Sequence, residues 1–166
     1  QLLEIGLPTV IAVNMMDLVK KNGDELNLKK LSEELGCPVV EMSALKGEST
    51  KDAAELCLKL AEEHKKGALP HVFTGSVEHA IAHIEESIES KVDPVNLRWF
   101  AIKFFERDEK AIEKVQLDAA TKRHIEQHIK DCEKEMDDDS ESIITNQRYE
   151  YIQKVVADCV KKKAVK

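Results

Sequence analysis

The sequence predicts an α/β region with a small parallel sheet, followed by an all-α region. Short β-branched runs alternate with helical spacing over about the first 70 residues, and only helical spacing follows them. All seven Phe, Trp and Tyr residues lie beyond Pro70, so the composition of the core changes there. We therefore place a domain boundary between residues 1–68 and residues 69–166.

The overall composition is that of a folded globular chain. Hydrophobic residues make up 42% and charged residues 34% of the 166 positions, which is enough for two small cores. A net charge of −7 argues against the broad basic surface that nucleic-acid binding requires. No apolar run approaches the roughly 20 residues that span a bilayer, so we expect a soluble chain. The four cysteines form no Cys-x-x-Cys pair, and we expect them to be reduced and mostly buried.

The first region predicts the order strand, helix, strand, helix, which implies parallel strands with covering helices. Residues 7–13 form a β-branched run typical of a strand buried on both faces. Asn27 is expected to cap a helix that ends at Gly36, and residues 39–42 predict the second strand. Thr50 is expected to cap the second helix. The inward residues of the two helices are expected to be Leu28, Leu31, Leu35, Ala53, Leu56, Cys57, Leu60 and Ala61.

The second region predicts four helices. Ser76 and Asn96 are expected to cap the first two, a third runs through residues 125–136, and a last helix follows the acidic stretch at residues 133–141. On the first three helices, the residues expected to face inward are Val77, Ala80, Ile81, Ile84, Ile88, Leu97, Phe100, Ala101, Phe104, Phe105, Ile125, Ile129, Cys132 and Met136. Those of the last helix are Tyr149, Ile152, Val156, Cys159 and Val160.

The strongest chemical signal is Asn-Met-Met-Asp at residues 14–17, directly after the first predicted strand. Side chains there project from the carboxyl edge of a sheet, where open α/β sheets bind ligands. The Asp17 carboxylate can accept both N–H donors of a guanine base, whereas adenine presents an acceptor in place of one of them. Asn14 can donate to a ring acceptor and brace the neighbouring loop.

A second signal, Ser-Ala-Leu-Lys-Gly at residues 43–47, follows the second predicted strand at the same edge. A backbone N–H of Ala44 or Leu45 can bond the guanine carbonyl oxygen. Asn and Asp also favour ordinary turns, so each motif alone is open to that simpler interpretation. The two motifs together, each after a strand and separated by one helix, predict a guanine site.

These motifs resemble those of the translation-factor-like branch of small GTPases, which carry Asn-Lys-x-Asp and Ser-Ala at the corresponding places. Met15 stands where those proteins have Lys, whose side chain packs along the base plane. The resemblance implies that Met15 keeps an apolar stack and loses a charge, with weaker nucleotide binding as the result.

Asn-Met-Met-Asp together with residues 18–22 narrows the resemblance to the ferrous iron transport protein B (FeoB) family. Residues 98–103 with Glu106, and Arg148-Tyr149-x-x-Ile152, are similar to motifs of that family's helical domain, which is described as resembling a guanine-nucleotide dissociation inhibitor. The resemblance implies that residues 1–68 are the C-terminal half of a P-loop GTPase domain. It also implies a regulatory helical domain over residues 69–166 and GTP or GDP as the ligand.

The motifs that handle phosphate are absent from these residues. There is no Gly-x-x-x-x-Gly-Lys-Ser/Thr and no Asp-x-x-Gly, so we assign no catalytic residue and expect no GTP hydrolysis by this piece alone. The resemblance implies that a longer parent supplies the upstream half of the domain, Mg²⁺ binding and a downstream membrane permease. It would place the chain on the cytoplasmic face of the bacterial inner membrane. We expect the strand at residues 7–13 to favour self-association through its free edge.

Two other functions remain open at this stage. His124, His128 and Cys132 recur every four residues on one predicted helix, and His79 with His83 does so on another. They fit a metal-sensing or interaction module, but one helix rarely supplies all ligands, so we assign no metal ligand. Another GTPase of the same branch, such as a ribosome-assembly factor, is the second alternative. The acidic helical region offers no RNA-binding surface for it.

Overall fold

A computed structural model of the chain describes residues 1–63, 67 and 69–163. Two compact units are distinguished within it. The helical unit comprises residues 1, 3–6 and 71–151, and the α/β unit comprises residue 2 with the described residues of 7–70 and 152–166. The boundary expected from the sequence falls at residue 68, which lies outside the described residues.

The α/β unit contains a parallel pair of strands with helices between and after them. Its first two strands and two helices are β1 (Ile11–Val13), α1 (Met16–Asn22), β2 (Glu25–Leu26) and α2 (Leu28–Leu35). They are followed by β3 (Val39–Glu41), α3 (Thr50–Glu62) and, near the C-terminus, β4 (Val160–Lys161). β1 lies parallel to β3 with Ile11 opposite Val39, which confirms the predicted parallel pair. β2 and β4 form a separate antiparallel pair.

The first predicted strand was too long. Only Ile11–Val13 is extended and paired, and its residues are half-buried or exposed instead of buried on both faces. Pro8 has no N–H to donate to a ladder, and the Thr9 hydroxyl donates to the Leu7 carbonyl, so this stretch forms local contacts instead. Within the described residues β1 pairs with β3 alone, which leaves its other side uncovered by a second strand.

Both ends of α2 were predicted correctly, but the start of α3 was not. Asn27 caps α2 by accepting a hydrogen bond from the Lys30 N–H at 3.0 Å, and Gly36 ends it with a φ of 67°, as expected. Thr50 is not a cap, because α3 begins at Thr50 itself and Ser49 precedes it in the left-handed conformation. Cys57 and Ala61, expected to face inward on α3, are exposed. The short helix α1 was not predicted from the sequence.

The helical unit is built from five helices: α4 (Gly75–Ile88), α5 (Leu97–Phe105), α6 (Glu109–Glu113), α7 (Ala119–Met136) and α8 (Ser140–Cys159), the last of which also supplies residues to the α/β unit. Ser76 lies in the first turn of α4 and is not its cap, and the Asn96 side chain makes no cap hydrogen bond on α5. All five residues expected to face inward on α4 are buried, and α5 contributes Ala101, Ile102, Phe104 and Phe105 to the same core. Met136, expected inward on α7, is 42% exposed.

The predicted buried face of α8 was wrong over most of the helix. Cys159 is buried as expected, but Tyr149, Ile152 and Val156 are exposed, and the buried residues before Cys159 include Ile143, Ile144, Gln147 and Val155. Hydrophobic spacing missed these residues because a polar residue lies among them. Gln147 is buried, and its Oε1 accepts a hydrogen bond from the Thr74 N–H at 3.0 Å. This bond compensates for the loss of water around the amide group.

Candidate functional site

Two loops of the α/β unit are joined at the carboxyl ends of β1 and β3. Asn14 follows β1, and its Oδ1 accepts hydrogen bonds from the Met15 N–H at 2.8 Å and from the Ala44 N–H at 3.0 Å. Ala44 lies just after β3, so a single side-chain oxygen connects the two loops. The bracing expected of Asn14 is therefore present in the structure.

A second link joins Asp17 to the loop after β3. The hydroxyl of Ser43, itself 3% exposed, donates to Oδ1 of Asp17 at 3.2 Å, and the ammonium of Lys46 lies 3.2 Å from Oδ2. The hydrogen bond from Lys46 lowers the pKa of Asp17, and the charge of Lys46 and the hydroxyl of Ser43 act in the same direction. Asp17 is therefore a carboxylate at neutral pH, with Ser43 on one oxygen and Lys46 on the other.

The backbone of both loops is tightly folded. Met15 adopts a left-handed conformation with a φ of 62°, which is uncommon for a residue with a side chain, and its side chain is 60% exposed. After β3, Ser43 and Glu48 exchange backbone hydrogen bonds at 3.1 and 3.2 Å, which closes a small turn around residues 44–46. Leu45 at the tip of this turn is 97% exposed. The side chains of Met15 and Leu45 are thus both presented to solvent.

A cleft of about 300 Å³ opens beside Asp17. It is lined by Met16, Asp17, Lys20, Glu41, Met42, Ser43, Lys46, Glu48 and Ser49. The ammonium of Lys20 lies 2.9 Å from a carboxylate oxygen of Glu41, so charged pairs cover part of the wall. Asn14, Met15, Ala44 and Leu45 do not line this cleft and lie at the linked loops beside it.

The structure therefore brings together the predicted site residues Asn14, Asp17, Ser43 and Ala44. The contact of Lys46 with Asp17 was not predicted, although Lys46 lies inside the second motif. The helix α1, which begins at Met16 and carries Asp17 in its first turn, was also missed. Its seven residues give too short a pattern for hydrophobic periodicity to detect.

The structure argues against Cys132 as a member of the alternative metal set. Cys132 is buried with its sulfur 4.0 Å from the Ser76 hydroxyl, and burial raises the pKa of this thiol, so the thiolate that binds metals is disfavoured. In the part of the chain that the structure describes, no three His, Cys, Asp or Glu side chains are arranged to hold a metal ion as they stand. Over the same residues, no helix is long and apolar enough to cross a membrane.

The arginines of the motifs noted in the helical region form ion pairs, of which those of Arg148 are buried. Arg98 pairs with Glu78 and Glu85 across α4 and α5. Arg148 pairs with Glu4 at 2.8 Å and with Glu106 at 2.9 Å, and all three side chains are at most 14% exposed. These residues are therefore structural partners within the helical unit.

Comparison with protein families gives two matches in sequence order. Residues 1–56 match the model described as ferrous iron transport protein B, and residues 73–161 match the model described as the FeoB cytosolic helical domain. The second match alone covers more than half of the chain. The α/β unit, with its small parallel sheet, thus corresponds to part of a GTPase domain, and the helical unit corresponds to the helical domain of the same family. This confirms the fold class predicted from the sequence.

The curated relatives and solved structures agree with the family models. An Fe(2+) transport protein A/Fe(2+) transporter FeoB fusion protein from Porphyromonas gingivalis is 31% identical over 92% of the chain, and the Fe(2+) transporter FeoB of Escherichia coli is 27% identical over 65%. The chain spans 19% and 14% of these two relatives. A GDP-bound mutant of the S. thermophilus FeoB G-domain superposes with a TM-score of 0.90 at 32% identity, covering 96% of this chain and 62% of that one. The mGMPPNP-bound NFeoB from S. thermophilus gives a TM-score of 0.83 at 32% identity, over 99% and 62%.

Proposed function

The chain belongs to the FeoB family of ferrous iron transport proteins, and on that premise we propose that its two linked loops recognise the guanine base of GTP or GDP for a longer iron transporter. Asn14, Met15, Asp17, Ser43, Ala44 and Leu45 are the residues assigned to the base. The relatives that this chain resembles are named as Fe(2+) transporters, and structures similar to it contain GDP or a GTP analogue.

One observation carries the proposal. The Asn14 side chain bridges the amides of Met15 and Ala44, while Ser43 holds Asp17, so two loops that are distant in sequence form one rigid edge. Simple turns would each satisfy their own backbone groups and would not need partners about 30 residues away. Preorganised acceptors and donors of this kind are what recognition of a planar, polar base requires.

Asp17 selects guanine by the charge and geometry of its carboxylate. A carboxylate can accept the two parallel N–H donors of guanine, whereas adenine presents an acceptor to it. Because each oxygen has more than one lone pair, Oδ1 can keep the Ser43 bond while it accepts from the base. Lys46 occupies Oδ2, and its half-exposed ammonium has to move aside for the second donor.

The small turn at Ala44 and Leu45 supplies the donor for the guanine carbonyl oxygen. The Ala44 N–H already donates to Asn14, and we therefore assign the Leu45 amide to the base. Met15, held in the left-handed conformation with an exposed side chain, supplies an apolar surface for stacking on the base.

Hydrolysis and transport belong to the longer protein. The residues of this chain contain neither a phosphate-cradling loop nor an Asp-x-x-Gly motif, so residues 1–68 provide base recognition as the later part of a G domain. The rest of the protein supplies the phosphate and Mg²⁺ sites, together with the membrane permease that carries Fe²⁺. The helical domain regulates the nucleotide state.

An amide-resolved NMR titration of the 166-residue chain tests base recognition directly. Without phosphate contacts we expect weak binding of GDP, with the amide signals of Met15, Ala44 and Leu45 shifting and those of the helical unit unchanged. ADP at the same concentrations should leave these signals in place. Equal shifts with both nucleotides, or no shift at these loops with GDP, would refute the assignment.

A further inference from the structure

Four of the six histidines of the chain lie together on two helices of the helical unit. His79 and His83 are on α4, and His124 and His128 are on α7. The rings of His83 and His128 stack across the two helices with centroids 4.3 Å apart, and His124 lies 6.5 Å from His83. We call these four residues the histidine cluster. It is separate from the guanine loops, which belong to the α/β unit.

Within each helix the two imidazoles are spaced as metal ligands. The Nε2 atoms of His79 and His83 lie 3.2 Å apart, and those of His124 and His128 lie 3.3 Å apart. Two nitrogens bound to one tetrahedral ion at about 2.0–2.1 Å are about 3.3–3.4 Å apart. The paired rings are also close to perpendicular, at 85° and 88°. Histidines four residues apart on one helix are a known way to hold zinc.

A carboxylate orients one of the two stacked rings. Oε2 of Glu86 lies 3.3 Å from Nδ1 of His83, on the side of the ring opposite the His79 contact. A carboxylate there favours the tautomer with its proton on Nδ1, which leaves the Nε2 lone pair available. Metal-binding histidines usually have such a partner at their other nitrogen.

We propose that the histidine cluster binds one divalent first-row transition-metal ion through the Nε2 atoms of His79, His83, His124 and His128. The stacked rings of His83 and His128 now lie parallel, at 11°, so the two pairs do not yet converge on one point. Convergence of the four Nε2 atoms on one ion therefore requires these two rings to turn about their outer side-chain bond, which is a soft torsion for histidine. His83 is about one-third exposed, which leaves room for the turn.

The chemistry of the ligands sets the class of metal. Neutral imidazoles suit Zn²⁺, Ni²⁺, Cu²⁺ and Fe²⁺, whereas Mg²⁺ and Ca²⁺ prefer oxygen ligands. Two helices contribute two ligands each, so a bound ion would crosslink α4 and α7. The ion would therefore stabilise the helical unit.

Equilibrium dialysis of the full chain against Zn²⁺ and Co²⁺, with metal counting, tests the proposal. We expect one ion per chain, and a Co²⁺ complex with visible absorption bands that lacks the near-ultraviolet band of a thiolate ligand. The double variant His83→Gln/His128→Gln should lose at least about 100-fold in affinity, and Glu86→Gln about 10-fold or more. Zn²⁺ should also raise the melting temperature of the wild-type chain and not that of the double variant.

Matched variants separate this site from other metal binding. His64→Gln and His71→Gln remove the two histidines outside the cluster and should bind Zn²⁺ as the wild type does. Cys132→Ser should also leave binding unchanged. The proposal is overturned if the wild type binds no Zn²⁺, if the double variant binds as tightly, or if Cys132→Ser loses the ion. Circular dichroism confirms folding of each variant, and no outcome bears on guanine recognition.

Discussion

At the scale of single residues, Asp17 is the side chain on which the proposed function depends. It lies at the start of α1 with Ser43 on one oxygen and Lys46 on the other. The Ser43 contact fixes the direction of the carboxylate, and the Lys46 contact lowers its pKa. A base that approaches this edge meets an oriented acceptor and needs to displace only one flexible, half-exposed side chain.

Arg148 illustrates a residue whose value is structural. It bridges Glu4 and Glu106, which are 7% and 12% exposed. Its removal leaves the buried Glu4 carboxylate with only the N-terminal ammonium, 3.9 Å away, whereas Glu106 keeps the ammonium of Lys103 at 2.7 Å. We expect Arg148→Met to destabilise the helical unit by about 3–5 kcal/mol. Urea unfolding followed by the fluorescence of Trp99, the single tryptophan, measures this. Lys29→Met, which breaks an exposed pair with Glu33, should cost at most about 1 kcal/mol, and equal losses would contradict the argument.

At the scale of elements, the core of the helical unit depends on α4, α5 and α7 packing through large apolar residues. Phe104 on α5 is 3% exposed within this core. We expect Phe104→Ala to lower the free energy of unfolding by about 3–5 kcal/mol, because the ring leaves a cavity that its neighbours fill only in part. Tyr149→Ala on α8 is the matched control. Tyr149 is 62% exposed, and its loss should change stability by about 0.5 kcal/mol or less. A thermal melt without a difference between the two variants would contradict the observed packing.

The elements differ in how far their sequences determine them. α2 was predicted to its ends because Asn27 and Gly36 act locally, through a cap and a left-handed residue. β1 was overestimated because its length depends on the strands that pair with it, which a run of β-branched residues does not specify. The buried face of α8 was predicted wrongly before Cys159, because Gln147 is buried there through a hydrogen bond from Thr74, a partner 73 residues away. Local sequence patterns therefore predict helix caps and turns, whereas strand length and the buried face of a helix depend on long-range contacts.

The candidate site shows the same division. Asn14, Asp17, Ser43 and Ala44 were predicted because each follows a strand, and parallel strands bring their carboxyl ends to one edge. The exact bonds were not predictable, since the Lys46 contact depends on the turn after Ser43. Nor did the sequence show that its two histidine pairs would meet, because that depends on how α4 and α7 pack.

At the scale of the whole molecule, the short sheet leaves one edge for another strand. The Ile11 N–H donates to the Pro38 carbonyl on the β3 side, so strand alternation directs the Ala12 N–H to the opposite edge. We expect this edge to pair with a strand of the longer protein or, in the 166-residue chain, with a second copy. Light scattering over a concentration series should show self-association that Ala12→Pro reduces. The matched comparison is Ala12→Gly, which keeps the N–H at this position and should still associate.

The most direct test of guanine recognition is a change of base preference in the longer protein that carries this chain. Asp17→Asn replaces one acceptor oxygen with an N–H₂ group, which repels a guanine donor and suits the carbonyl that xanthine has at the same position. We expect affinity for GDP to fall roughly 10- to 100-fold and affinity for xanthosine diphosphate to rise, whereas Glu33→Gln on the exposed face of α2 should change neither. Because binding is gained as well as lost, misfolding cannot mimic this result. Unchanged discrimination of GDP from ADP and from xanthosine diphosphate in the Asp17→Asn variant would contradict the account.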